Sequence, residues 1–91
     1  MSTPRYRLRQ GVLAQLDLPQ GVLLDARSGE YFELDGAGTA IVRALVAEGT
    51  LAAAVAAVAA AFEVDAGRAA IDAEEFIGVL LGRGLIEAGD G

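Results

Sequence analysis

The sequence predicts an α+β domain, a three-stranded antiparallel β-meander followed by three α-helices. Three observations predict it. Apolar residues alternate with period two early in the chain and recur at steps of three and four beyond residue 36. Two short turn sequences, Pro19-Gln20-Gly21 and Ala26-Arg27-Ser28-Gly29, separate the alternating runs. Asp35, Thr50 and Asp65 each precede a helical pattern, where a side-chain oxygen accepts the free N–H groups of the first turn. The 91 residues allow one domain, which must bury roughly 60–65% of the unfolded chain's surface. An apolar fraction of 54% excludes a disordered chain.

Each element follows from local chemistry. Residues 5–9 alternate polar and apolar, and Gly11 interrupts them. Val12 to Asp17 reads as the first strand of the meander, Val22 to Asp25 as the second and Glu30 to Leu34 as the third. Gly29 supplies the left-handed residue of the hairpin loop. Turns this short force antiparallel pairing, because parallel strands need a longer crossover. The first helix spans Gly36 to Ala47, with Ala37, Ala40, Ile41, Ala44 and Leu45 on its buried face and Thr39 and Arg43 opposite. Gly49 ends it. In the second, Leu51, Val55, Val58 and Phe62 recur at steps of four, three and four among alanines, the strongest helix formers. The third runs from Ala66 to about Arg83 with a buried stripe of Ala69, Ala73, Phe76, Ile77 and Leu80, and Gly82 and Gly84 stop it. Leu85 and Ile86 return to the core, and the residues after Glu87 read as a frayed tail, as Ser2 does at the other end. The expected result is a single domain over 1–91, with an ordered core over about 12–87, of winged helix-turn-helix type.

Composition narrows function. Cysteine and histidine are both absent, which removes thiolate nucleophiles, the commonest general base and the usual zinc ligands. Ser28 lies in a turn and Thr50 at a cap. Glu74 and Glu75 are adjacent on a helix and point in different directions. Gly36-Ala37-Gly38 lacks the spacing and the lysine of a phosphate loop. No catalytic residue, metal site or cofactor is expected, and the chain reads as a non-enzyme. Thirteen acids face seven arginines and no lysine, a net charge of −6 that opposes binding to phosphate backbones. A winged-helix DNA-binding protein is the first rival reading. Its recognition helix would carry Arg68 and Arg83 against Asp72, Glu74 and Glu75. A scaffold or dimerisation protein using the uncharged alanine helix is the second. No apolar run is long enough to span a membrane and no signal peptide is visible, so a cytoplasmic location is expected.

The meander offers the informative feature. Its third strand, Glu30 to Leu34, stands at an edge, and an open edge is either blocked or used to accept an extended peptide. Asp72, Phe76, Val79 and Arg83 run along one stripe of the third helix and form a candidate second wall. The Arg5, Arg7, Arg9 arm reads as a solvated tail or an edge blunted by charge, with contact to an acidic peptide as the sharper alternative.

The stretch Gly21-Val22-Leu23-Leu24-Asp25-Ala26-Arg27-Ser28-Gly29-Glu30-Tyr31-Phe32-Glu33-Leu34-Asp35 resembles the PqqD-like family of RiPP recognition elements, which bind the leader of a ribosomally made precursor peptide. Gly49-Thr50-Leu51, Phe62-Glu63-Val64-Asp65, and the series Asp72, Phe76, Leu80, Gly84 and Leu85 extend the resemblance over about residues 12–87. Asp35 stands where Asn is common, and Ala73 where a larger aliphatic is usual. The hairpin looks closer to the leader-binding proteins of lasso-peptide biosynthesis than to the PQQ peptide chaperone, which is the alternative within the family. The resemblance implies a leader strand antiparallel to Glu30–Leu34, with apolar side chains in a cleft lined by Tyr31, Phe32, Leu34, Phe76 and Val79. The peptide-binding set it implies is Glu30, Tyr31, Phe32, Glu33, Leu34, Asp72, Glu75, Phe76, Val79 and Arg83. It further implies a handover of the precursor to a leader protease of transglutaminase type and a macrolactam cyclase, by a monomer or weak dimer.

Overall fold

The computed structural model describes residues 3–90, with the side chain of Asp90 excepted; Ser2 lies outside them. Strands β1 (Pro4–Leu8), β2 (Val12–Gln15), β3 (Val22–Asp25) and β4 (Glu30–Glu33) precede helices α1 (Gly36–Ala47), α2 (Leu51–Phe62) and α3 (Ala66–Gly82), and β5 (Ile86–Asp90) ends the chain. The meander forms as expected, a three-stranded antiparallel sheet in the order β2-β3-β4. In the β3–β4 turn, the N–H groups of Ser28 and Gly29 both donate to the Asp25 carbonyl, at 3.2 and 2.7 Å. Gly29 takes φ +79°, a left-handed value that a side chain would strain.

The three expected caps are all made. The carboxylate of Asp35 accepts from Gly38 N at 2.7 Å, the hydroxyl of Thr50 from Ala53 N at 3.1 Å, and the carboxylate of Asp65 from Arg68 N at 2.8 Å. Leu23 of the sheet, Ile41 and Val42 of α1, Val58 of α2, Leu80 of α3 and Ile86 of β5 are the large residues fully buried between the layers. One face of the meander therefore packs on the helices while the other is open, which is why its strands alternate.

The structure corrects the reading in three places. The residues after Glu87 are not a frayed tail. They belong to β5, which pairs antiparallel with β1 from Leu8↔Ile86 to Pro4↔Asp90. The arginine arm is accordingly paired: Arg7 bridges Glu87 at 2.7 Å, Tyr6 N donates to Gly49 O at 2.7 Å, and Arg5 reaches the Glu48 carbonyl. This pairing joins the two ends of the chain, and local periodicity carries no signal for it.

In α1 the buried face is rotated, since Thr39 is only 1% exposed and Val42 is buried, whereas Ala37, Ala40 and Ala44 are half-buried. The Thr39 hydroxyl is satisfied inside. It accepts from Gly21 N at 2.8 Å and donates to Asp35 O at 2.8 Å, so burial costs no unpaired polar group. In α2, Phe62 leaves the expected stripe and is 46% exposed, while Ala54 is fully buried. Alanine lets α1 and α3 approach α2 there. The Phe62 ring instead covers Gly36, where an added Cβ would lie 3.2 Å from it.

Candidate functional site

The two edges of the meander are unlike each other. In an antiparallel ladder, alternate residues bond to the neighbouring strand and the others turn their backbone groups away. Leu34 N donates to Gly21 O at 2.9 Å, which continues the β3–β4 register in which Leu23 pairs with Phe32 and Asp25 with Glu30. Phe32 and Glu30 are therefore the bonded positions of β4. Tyr31 and Glu33 direct both N–H and C=O to the free edge. Ala26 N donates to Gly11 O at 2.8 Å on the other side of β3, which sets the complementary alternation there.

The side chains of β4 divide by the pleat, with Glu30 and Phe32 on the helix side and Tyr31 and Glu33 on the outer side. On the helix side, Phe32 meets Phe76 of α3 with ring centroids 6.3 Å apart and planes tilted by 53°. The Arg83 guanidinium lies 5.2 Å from the Phe32 ring centroid, a cation–π distance. Beside this pair opens a cleft of about 360 Å³, lined by Asp35, Ala37, Gly38, Ile41, Asp72, Glu75, Phe76 and Val79. Gly38 makes room for the Phe76 ring. A Cβ at that position would stand 2.9 Å from its tip. A smaller hollow joins Asp25, Glu30, Tyr31, Phe32, Arg83 and Leu85.

Charge runs along this trough. Asp35, Asp72 and Glu75 stand at one end, where Asp72 is paired with Arg68 at 3.4 Å across one helical turn. Arg83 stands at the other. The hairpin is held to the turn that follows α3 by Arg27, which bonds both carboxylate oxygens of Asp25 at 2.9 Å and the Gly84 carbonyl at 2.9 Å. The hydrogen-bonded guanidinium holds the Asp25 carboxyl below its usual range.

Of the residues expected at the site, the structure brings Phe32, Asp72, Glu75, Phe76 and Val79 around the trough, with Glu30 and Arg83 at its far end. Leu34 is 3% exposed and belongs to the core beneath. Tyr31, 73% exposed, and Glu33 lie on the opposite face of the strand, because consecutive strand residues alternate. Tyr31 and Phe32 nevertheless both line the smaller hollow beside Arg83. Sequence reasoning missed Gly38 and Ile41 and read Asp35 only as a cap. The one available signal was the glycine at 38, in the first turn of a helix, where Gly is a poor helix former unless something packs close.

An open strand edge over an apolar trough defines an α+β domain shaped to accept an extended segment. The chain belongs to the PqqD family: the family model described as coenzyme PQQ synthesis protein D matches residues 20–86. No curated protein matches the chain. Two solved structures are similar to it. One is a lasso peptide synthetase B1 complexed with the leader peptide, at 28% identity and a TM-score of 0.79, covering 91% of this chain and 98% of that one. The other is TbiB1 in complex with the TbiA(beta) leader peptide, at 29% identity and a TM-score of 0.75, covering 89% and 94%.

Proposed function

We propose that this domain binds the leader segment of a ribosomally synthesised precursor peptide of lasso type by strand addition to β4. The observation that carries the reading is the β4 edge, where the backbone groups of Tyr31 and Glu33 face outward beside the trough of Phe32, Phe76 and Val79. An added antiparallel strand satisfies those groups, and its helix-side residues enter the trough. Two relatives of closely similar fold whose structures hold leader peptides support it. The contribution is binding and not catalysis. Delivering the leader to a protease of transglutaminase type and a macrolactam cyclase, in the cytoplasm where the precursor is made, raises the local concentration of precursor at those enzymes.

The α3 face that a DNA-binding reading needs carries Asp72, Glu74 and Glu75, in a chain of net charge −6, so that reading is disfavoured. The test is a fluorescence-anisotropy titration of the labelled leader encoded by the neighbouring precursor gene, run with a PQQ-type precursor beside it. Saturable binding of the lasso-type leader, lost in Phe76→Ala with the fold retained, is the expected result. Binding only of the PQQ-type precursor transfers the site to cofactor biosynthesis. A well-folded protein that binds neither overturns the reading.

A further inference from the structure

The trough uses only one face of an added strand, yet the edge has two. Residues directly opposite one another in a sheet point to the same side. Across the outer face the ladder aligns Leu13, Leu24 and Tyr31 in one row, and Gln15, Val22 and Glu33 in the next. The first row is apolar and open to solvent, with Leu13 60% and Tyr31 73% exposed. The second ends in a carboxylate that makes no ion pair among the described residues. A hollow of about 360 Å³ lies between the ends of these rows, lined by Gln15, Gln20, Val22, Tyr31 and Glu33 among others. The residues whose backbone groups face the free edge, Tyr31 and Glu33, are the same two whose side chains stand on this outer face.

We infer that Tyr31 and Glu33 are specificity residues that read the outward side chains of the bound peptide, so that the site is two-faced. This rests on strand addition to β4, and it adds the chemistry of the peptide. In antiparallel addition the peptide residue opposite Glu33 comes first, then the one opposite Phe32, then the one opposite Tyr31. The first and third point outward. A basic side chain opposite Glu33 completes the charge of its row. An apolar or aromatic side chain opposite Tyr31 extends the Leu13–Leu24–Tyr31 row to a fourth strand and covers exposed apolar surface. The middle residue faces the trough and is apolar. The peptide signature is basic, apolar, apolar in consecutive positions, with the outer two read by the sheet and the inner one by α3.

The test is selection of displayed random twelve-residue peptides on the full-length wild-type protein and on Glu33→Lys and Tyr31→Ser, both surface substitutions. Wild type enriches the three-residue signature. Glu33→Lys shifts the basic-to-acidic ratio at the first position alone by about fivefold or more, toward acids. Tyr31→Ser removes the apolar preference at the third position and leaves the middle one. Peptides enriched equally well whatever stands at 33 and 31 overturn the two-faced site while leaving the trough reading intact. Absence of any enrichment on folded wild-type protein overturns strand addition itself, and this inference with it.

Discussion

The β2 and β4 edges belong to one sheet and are treated in opposite ways. The residues of β2 whose backbone groups face outward are Val12 and Ala14, and Leu16 continues the series. Val12 N donates to Arg9 O at 3.0 Å, and the Arg43 guanidinium from α1 donates to the Leu16 carbonyl. Only Ala14 stays open between two occupied positions. On β4, Tyr31 and Glu33 are both left open beside an apolar trough. The pair shows how an edge is closed, with local loop bonds and one arginine, and that β4 has been given neither. An edge that aggregation would punish is normally protected, so an unprotected one beside a shaped cleft points to use.

The largest expected effect comes from closing the open edge. Tyr31→Pro removes an outward N–H without breaking a ladder bond, a position where an edge strand tolerates proline. Leader affinity should fall by about a hundredfold, from the lost hydrogen bond together with steric exclusion of the incoming strand. Ala14→Pro makes the same change on the β2 edge and should leave affinity within about twofold. Anisotropy titrations of both variants, with circular dichroism as the folding control, check the contrast. Equal losses in the two would mean that the edges do not differ in function.

Next is the wall of the trough. Gly38→Ala places a Cβ 2.9 Å from the Phe76 ring tip, so the ring must shift toward the cleft or the helices must part. Affinity should drop by about tenfold, with a stability loss of about 1–2 kcal/mol from overpacking set against the better helix propensity of alanine. Chemical denaturation beside the titration separates the two. Phe76→Ala, which opens the trough instead, should weaken binding by a similar or larger factor.

Thr39→Val sharpens the comparison from the side of the scaffold. Shape is kept, but Gly21 N loses its acceptor inside the protein at the start of β3. Stability should fall by about 1–3 kcal/mol, read from the denaturation midpoint at unchanged slope, with leader affinity nearly untouched.

The smallest effect belongs to the hairpin. The Asp25 carboxyl is held below its usual range by Arg27, so the pair stabilises the fold at pH values above the ordinary carboxylate range. That stabilisation is lost as the pH falls through the lowered pKa, because the unfolded state takes up the proton first. Asp25→Asn should flatten the acid limb of a melting-temperature profile and leave the neutral plateau slightly lower. A profile identical to wild type would mean that the pair is thermodynamically silent, as exposed ion pairs often are.

Much of this architecture was legible in the residues. The bounds of α1 and α2, the β3–β4 hairpin and the caps at Asp35, Thr50 and Asp65 all follow from short-range chemistry, in which a side chain bonds a backbone group three residues away. The helix-side residues Phe76 and Val79 were legible from helical spacing. The β1–β5 ribbon was not, because its partners are separated by nearly the whole chain and its arginines look like a solvated arm. Nor was the burial of Thr39, since a hydroxyl is acceptable in a core only when a particular backbone N–H comes to meet it.

Alone, then, the sequence determined the meander, the three helices with their caps, and that a net acidic chain is a poor match for a phosphate backbone. Those properties depend on propensity, turn chemistry and composition, all of which act within a few residues or over the whole chain at once. Only the tertiary structure decided which edge of the meander is open and that Gly38 shapes the trough. Each depends on where a distant segment arrives: Arg43 on the Leu16 carbonyl, Phe76 over Gly38, and β3 setting which of the β4 backbone groups remain free.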